Sequence, residues 1–303
     1  MVIAFTPFHP MLGALLYHLG SYFARVLPGR VPRRIAWMLG MVNWMLRLKT
    51  RRVVAHNLRL AAGQDIPPRE LRRRVRRTVL NFAECIEIFL ELPSMAWEDL
   101  EKRCDLSEFH RAVEALGGSR AFVVAAAHVG PWELGGYCLT RLGYPLHTVA
   151  LDHPSRHVTR FFSRRRARLG IQAYHLKDSF HKLEDALGRG ECVALLVDRA
   201  YGNARRPATL FGVERDFPLG HAILAVRKEV PVLVGGLVLD GDGFRYVHGG
   251  MHFPDPSFEV DERIARIQEA CLADLEGIIR AHSDQWFHFR RLGARAKPRR
   301  SRG

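Results

Sequence analysis

From residue 121 to residue 239 the chain alternates between short apolar runs and segments of helical period. That alternation restricts the fold more than any other feature. The apolar runs cover 121–127, 146–151, 192–197 and 231–239 and are rich in Val, Ala and Leu. Runs this short, without polar alternation, suit strands buried on both faces. Between them, 131–142, 155–169, 178–188 and 219–228 read as helices, with Gly188-Arg189-Gly190 and Val230-Pro231 as turns. The pattern predicts an α/β domain, a sheet covered by helices. Helices are also expected over 78–92, over Leu106 to Leu116 closed by Gly117-Gly118, and over 260–281. In 78–92, Phe82, Ile86 and Phe89 fall at helical spacing, and Glu84, Glu87 and Glu91 take the other side. There is no internal repeat and no GxxxxGK[ST] phosphate loop.

The first apolar run ends at His128, and Val129-Gly130-Pro131-Trp132-Glu133 follows. A buried strand that stops at His128 fixes the imidazole at the mouth of the sheet. The chain then turns at Gly130, and a helix opens with Pro131. Glu133 falls in its first turn, where a carboxylate can orient one ring nitrogen and leave the other basic. Each residue also has an ordinary reading. A histidine on an apolar strand is usually a satisfied structural residue, and a glutamate in a first helical turn is favoured by the helix dipole. The strand-end position is what favours chemistry.

The formal charge is +15 and the pI near 10.3, so an anionic partner is expected: nucleic acid, anionic lipid or a phosphorylated substrate. An apolar content of 48% excludes whole-chain disorder. Five scattered cysteines without a CxxC pair read as reduced thiols. The first 24 residues carry no Lys, Arg, Asp or Glu, but Pro7 and Pro10 interrupt them and no basic region precedes them. The remaining stretch, Met11 to Ala24, makes a helix of roughly 21 Å, short of the bilayer core of about 30 Å. Leu12, Leu15, Leu16, Leu19, Phe23 and Val26 share one face, and Pro28-Gly29 ends the helix. Residues 35–46 form a second apolar helix with Trp37 and Trp44, flanked by Arg33, Arg34, Arg47, Lys49, Arg51 and Arg52. Such helices suit a membrane interface; the alternative is two ordinary core helices. Between Arg25 and Arg77 there are fifteen Arg or Lys against two acids, Asp65 and Glu70. Beside tryptophan-bearing apolar helices this charge suits anionic headgroups. The arginine-rich run 69–77 lacks interleaved aromatic or polar readers, which disfavours nucleic acid. The chain thus divides into a membrane-associating helical part at 1–66, an α/β domain at 67–292 and a basic tail at 293–303.

Three further candidates carry chemistry. Arg164, Arg165 and Arg166, with Arg168, are either a solvated helix face or a clamp on phosphate or carboxylate. Asp198-Arg199 follows an apolar strand, where α/β folds place ligand-contacting residues; the alternative is a turn aspartate. Metal is not expected despite fifteen histidines, because no HExxH occurs and Pro154 interrupts His153 and His157. No GxSxG marks a serine nucleophile.

An ordered set of pieces resembles the lipid A late acyltransferases, the lauroyl/myristoyl acyltransferase family, which also includes mannolipid acyltransferases. The pieces are Asn57-Leu58, His128 through Leu134, the arginines of 164–168 before Gly170, and Leu187-Gly188-Arg189-Gly190-Glu191. After them come Asp198-Arg199, Phe211-Gly212, Phe217-Pro218-Leu219-Gly220 and Gln285-Trp286-Phe287-His288-Phe289-Arg290-Arg291. The resemblance spans about residues 10–292. It implies a glycerolipid-acyltransferase-like mixed sheet covered by helices, with an N-terminal membrane-facing helical part. It also implies transfer of an acyl chain from acyl carrier protein or coenzyme A to a glycolipid hydroxyl at the cytoplasmic face of the inner membrane. The enzyme would be peripheral, monotopic or held by a single N-terminal anchor, and would need no cofactor. The family's catalytic histidine and acid fall on His128 and Glu133, its helix arginine on Arg165, and its strand-end aspartate on Asp198. Arg165 and Arg199 would then hold anionic groups. Many lipid A members carry Gln or His where this chain has Arg199, and Phe217 to Gly220 look closer to the mannolipid branch. The acceptor therefore stays open: a lipid A precursor, or a lysophospholipid, ornithine lipid or mannolipid. The other classes are a fold that binds glycolipid without chemistry and a basic nucleic-acid-binding protein.

Overall fold

The computed structural model describes residues 10–27, 31–63 and 65–293, with side-chain environments from residue 15 onward. Four helices lead: α1 (Pro10–Val26), α2 (Val31–Leu46), α3 (Leu48–Ala62) and α4 (Pro68–Glu91). A short α5 (Trp97–Glu101), β1 (Cys104–Asp105) and α6 (Ser107–Glu114) connect them to the expected alternation. It runs β2 (Val123–Ala126), α7 (Trp132–Arg141), β3 (Leu146–Ala150), α8 (Arg156–Arg168), then β4 (Ile171–His175), a strand the apolar pattern did not show, and α9 (Ser179–Gly188) and β5 (Cys192–Leu196). A hairpin of β6 (Arg205–Leu210) and β7 (Val213–Pro218) interrupts it before α10 (Gly220–Lys228), β8 (Val232–Asp240), β9 (Gly243–His252) and α11 (Val260–Ala281).

Seven strands form one sheet in the order β1-β9-β8-β2-β5-β3-β4. Every pairing in it is parallel except β8 with β9. The mixed α/β architecture matches the expectation. Successive side chains of a strand point to opposite faces, and β2 divides accordingly. Val123 and Ala125 join a core with Leu183 of α9, Leu224 of α10 and Leu275 of α11. Val124, with Phe122 just before the strand, joins a second core with Phe109 of α6, Leu134 of α7 and Phe162 of α8. Helices thus seal both faces, which is why the strands read as unbroken apolar runs.

The N-terminal helices lie against this body. Tyr17 of α1 packs on Phe161 and Phe162 of α8, and Gly40 of α2 fits beside Ala83 of α4, where an added Cβ would sit 3.1 Å from the alanine methyl. Much of the acidic side of α4 is covered as well. Glu84 and Glu87 are buried; Arg33 pairs with Glu84 at 3.0 Å and the Trp37 indole donates to it at 3.0 Å. Burial, with Glu91 and Glu84 nearby, pushes Glu87 up to about 7. The outer faces of α1 and α2 stay uncovered: Leu15, Leu16, Leu19, Phe23 and Val26, then Trp37, Met38, Leu39, Met45 and Leu46. No helix among the described residues is long and apolar enough to cross a membrane. The Leu12 side chain, the stop at Pro28-Gly29 and the tail from residue 294 lie outside the described residues.

Candidate active site

Strand register brings two distant residues together. In the parallel pair β2/β5, Ala126 is the partner of Leu196. Two residues further along each strand stand His128 and Asp198. His128 Nδ1 lies 2.7 Å from Asp198 Oδ1, and the Asp198 side chain is fully buried. A ring nitrogen facing a carboxylate carries the proton and donates it, so Nε2 is left as the basic nitrogen. His128 lines a cleft of about 220 Å³.

The segment after α11 completes the pair. Phe287 N–H donates to the His128 carbonyl at 2.8 Å, Gly130 N–H donates to the Gln285 carbonyl at 3.0 Å, and Val129 bridges Trp286. Gly130 holds φ at +56°, and an added Cβ would collide with the Leu237 carbonyl. Only glycine serves at that turn. Trp286 donates its indole N–H to Asp198 Oδ2 at 3.0 Å, and the His288 ring lies 3.6 Å from the same oxygen. Gln285 exchanges two hydrogen bonds with Leu239, at 2.8 and 2.9 Å, as a further strand would. Asn57 of α3 donates to the carbonyls of His288 and Arg290 at 2.6 and 2.8 Å and accepts from Leu292 N–H at 2.9 Å. Residues 285–292 are thus strapped across the strand ends from two sides.

Electrostatics follow from this packing. Burial opposes charge on Asp198, but His128 and His288 outweigh it and hold the carboxyl well below the usual range. Burial and the nearby Arg199 push His128 down to about 4, with Asp198 pulling the other way. At neutral pH the pair is an ionised aspartate and a neutral, hydrogen-bonded imidazole.

Glu133 does not face His128. The first turn of α7 carries it to α8, where Arg166 grips it with Nη2 at 2.6 Å and Nε at 3.0 and 3.1 Å from its two oxygens. Both side chains are mostly buried. The expectation that Glu133 orients the imidazole is thus corrected; Asp198 occupies that place. The arginine cluster divides as well. Neighbours on a helix point about 100° apart. Arg164 is exposed, and Arg165 turns into the N-terminal layer, donating to the Phe89 carbonyl and Ser21 Oγ at 2.9 Å each. The choice of Arg165 as the site arginine gives way to Arg166. Arg199 lines the cleft and donates to the Phe287 carbonyl, with its Nε buried and unpaired. Trp286 and His288 were not singled out from the sequence. No periodicity links 286 to 198; their only signal was membership in the Gln285 to Arg291 piece.

Beside the cleft lies a second cavity of about 130 Å³. It sits between the sheet and α7 and is walled by apolar groups such as Leu139, Leu142, Ile171 and Leu233. Gly136 and Gly236 widen it: an added Cβ on Gly136 would meet Leu146 and Ile171 at 3.1 and 3.2 Å, while Gly236 faces open space. Trp132, Glu133, Val149, Arg166 and Leu196 line both cavities, so the Glu133–Arg166 pair stands where they adjoin. Among the described residues no group of three or more His, Cys, Asp or Glu could hold a metal ion. The arrangement sets an imidazole, held by a buried carboxylate, in a cleft that adjoins an apolar chamber suited to a hydrocarbon chain.

Comparison with known proteins shows the family. A family model for bacterial lipid A biosynthesis acyltransferases matches residues 9–292. A phosphatidylinositol mannoside acyltransferase of Mycolicibacterium smegmatis is 24% identical over 174 residues, which span 56% of this chain and 57% of that protein. The matched stretch is thus little more than half the length of the curated relative. The family match runs from the first helix to the strap that closes the site, and the chain belongs to the bacterial lipid A biosynthesis acyltransferase family.

Proposed function

We propose that the protein transfers a fatty acyl chain from the thioester of acyl carrier protein or coenzyme A to a hydroxyl of a membrane glycolipid. The acceptor in this reading is a lipid A precursor in lipopolysaccharide biosynthesis. The observation that carries it is the His128–Asp198 pair opening on a cleft that adjoins an apolar chamber. The acyl chain lies in the chamber, with its thioester carbon at the Glu133–Arg166 boundary. His128 Nε2 removes the proton of the acceptor hydroxyl as its oxygen bonds to the thioester carbon. Asp198 stabilises the imidazolium that forms. The C–S bond then breaks, and the departing sulfur takes the proton back from His128. Arg199 serves anionic groups of donor or acceptor. The exposed apolar faces of α1 and α2, with the arginines around them, dock the enzyme on the cytoplasmic face of the inner membrane, where the acceptor resides. A mannolipid acceptor is the second reading, favoured by the likeness to the mannoside acyltransferase.

The test is thiol release by purified protein from an acyl carrier thioester, with a lipid A precursor or a mannolipid as acceptor. His128→Ala is expected to slow acceptor-dependent release by about 10²–10⁴. Near wild-type turnover by that variant removes His128 as the base. Release that depends on neither acceptor rejects both.

A further inference from the structure

A second anionic site is built away from the catalytic cleft, between α3 and α4. A groove of about 310 Å³ opens there, with Arg51, Arg52 and Arg59 on one wall and Arg72 on the other. None of these four has an acidic partner among the described residues. The nearby carboxylate, Glu70, is already held by Arg73 and Arg74 at 2.8 Å each. The groove also has an aromatic end, where Trp44 lies under the Arg51 guanidinium at 4.3 Å. The Trp44 indole N–H is buried without an acceptor. Arginines without acidic partners around one hollow call for an anion with several acceptor oxygens.

The surroundings select which anion. Leu48 lines the groove, and Met45, Leu46 and Leu48 are exposed beside it, with Leu46 at 77%. They continue the uncovered apolar face of α2. Charge complementarity and this apolar lip together describe an amphiphile: a phosphate in the groove and acyl tails along α2.

We infer that the α3/α4 groove binds the phosphate headgroup of an anionic phospholipid. The site rests on the reading that the enzyme docks on a membrane, and it fixes how the enzyme sits there. Phe289 links it to the catalytic centre, because the ring packs on the cluster of Val54, Leu58, Leu71 and Val75 under the groove and also lines the cleft. A headgroup held at Arg59 and Arg72 sets the orientation in which the cleft meets the bilayer.

The experiment is flotation of the full chain with phosphatidylcholine vesicles, with and without phosphatidylglycerol. The comparison is between Arg52→Gln/Arg59→Gln and Arg76→Gln, an exposed arginine of α4 outside the groove. The groove variant is expected to lose affinity for phosphatidylglycerol vesicles by about fivefold per arginine, the worth of a basic residue at an anionic surface. Arg76→Gln is expected to lose less than about twofold. Thioester cleavage in detergent should be unchanged in both, which reports intact folding. Titration with short-chain phosphatidylglycerol should change the fluorescence saturably, and Trp44→Phe should abolish the change. An equal loss from Arg76→Gln overturns the groove site in favour of diffuse charge. An equal fluorescence response to inorganic phosphate overturns the lipid assignment, as does selective loss of carrier-protein binding in the groove variant. Indifference to phosphatidylglycerol with firm binding to neutral vesicles overturns the groove site alone. Indifference to every vesicle overturns membrane docking itself.

Discussion

The cleft and the chamber beside it differ in what holds them together. The cleft is organised by hydrogen bonds onto one buried carboxylate, with Asp198 taking His128 and Trp286. The chamber is organised by apolar packing and by glycines that leave room. Where they adjoin, Glu133 and Arg166 form a bidentate pair. Proton transfer needs a fixed, desolvated geometry, whereas holding a chain needs volume and little direction. The two carboxylates reflect this division: Asp198 holds the imidazole of His128, and Glu133 holds Arg166 in the shared wall.

Substitutions should separate the two regions in graded steps. Asp198→Ala is expected to give the largest loss, about 10²–10⁴ in acceptor-dependent turnover, by freeing the imidazole to change tautomer. A loss under tenfold in that assay would move the orienting role elsewhere. Glu133→Gln leaves Arg166 buried without its counter-charge and should lower stability by about 3 kcal/mol. Its remaining activity should keep the wild-type pH profile, whereas Asp198→Asn should shift it. If Glu133→Gln moves the acid limb, Glu133 does act on the imidazole. Gly236→Leu fills chamber space without backbone change and should bias turnover towards shorter donors by about tenfold. An unchanged chain-length profile would empty the chamber of its proposed role. The smallest effect concerns pH. A base held near 4 is already neutral at pH 5.5, so base availability should barely change between pH 7 and 5.5. An ordinary histidine near 6.5 would lose about tenfold over the same range.

How much of this was legible depends on what kind of contact each residue makes. Long elements with a clear period, such as α11 and the runs that became β2, β5 and β8, could be read directly. The β6/β7 hairpin was not, because Arg205–Leu210 and Val213–Pro218 mix charge and proline with few apolar positions. Nor was β9, whose Gly249-Gly250 pair looks like a turn. In the site, His128 was visible because an apolar run stopped there. Its partner was assigned to Glu133 by proximity in sequence, yet five residues along a turn and helix lead away from the imidazole. Asp198 stood out as a strand-end residue, but its contact with His128 depends on β2 lying beside β5. That adjacency is a property of the whole sheet and leaves no mark on either segment. The choice between Arg165 and Arg166 turned on the rotation of one helix, which the basic and aromatic residues around them do not reveal.

The strap formed by Gln285 to Leu292 also has a meaning for biosynthesis. A ribosome delivers these residues after the whole sheet and α11. Until they emerge, Asp198 lacks the Trp286 N–H, the His128 carbonyl lacks its donor, and Asn57 has nothing to hold. A nascent chain halted before residue 285 would carry both His128 and Asp198 and still lack every contact that the strap makes around them.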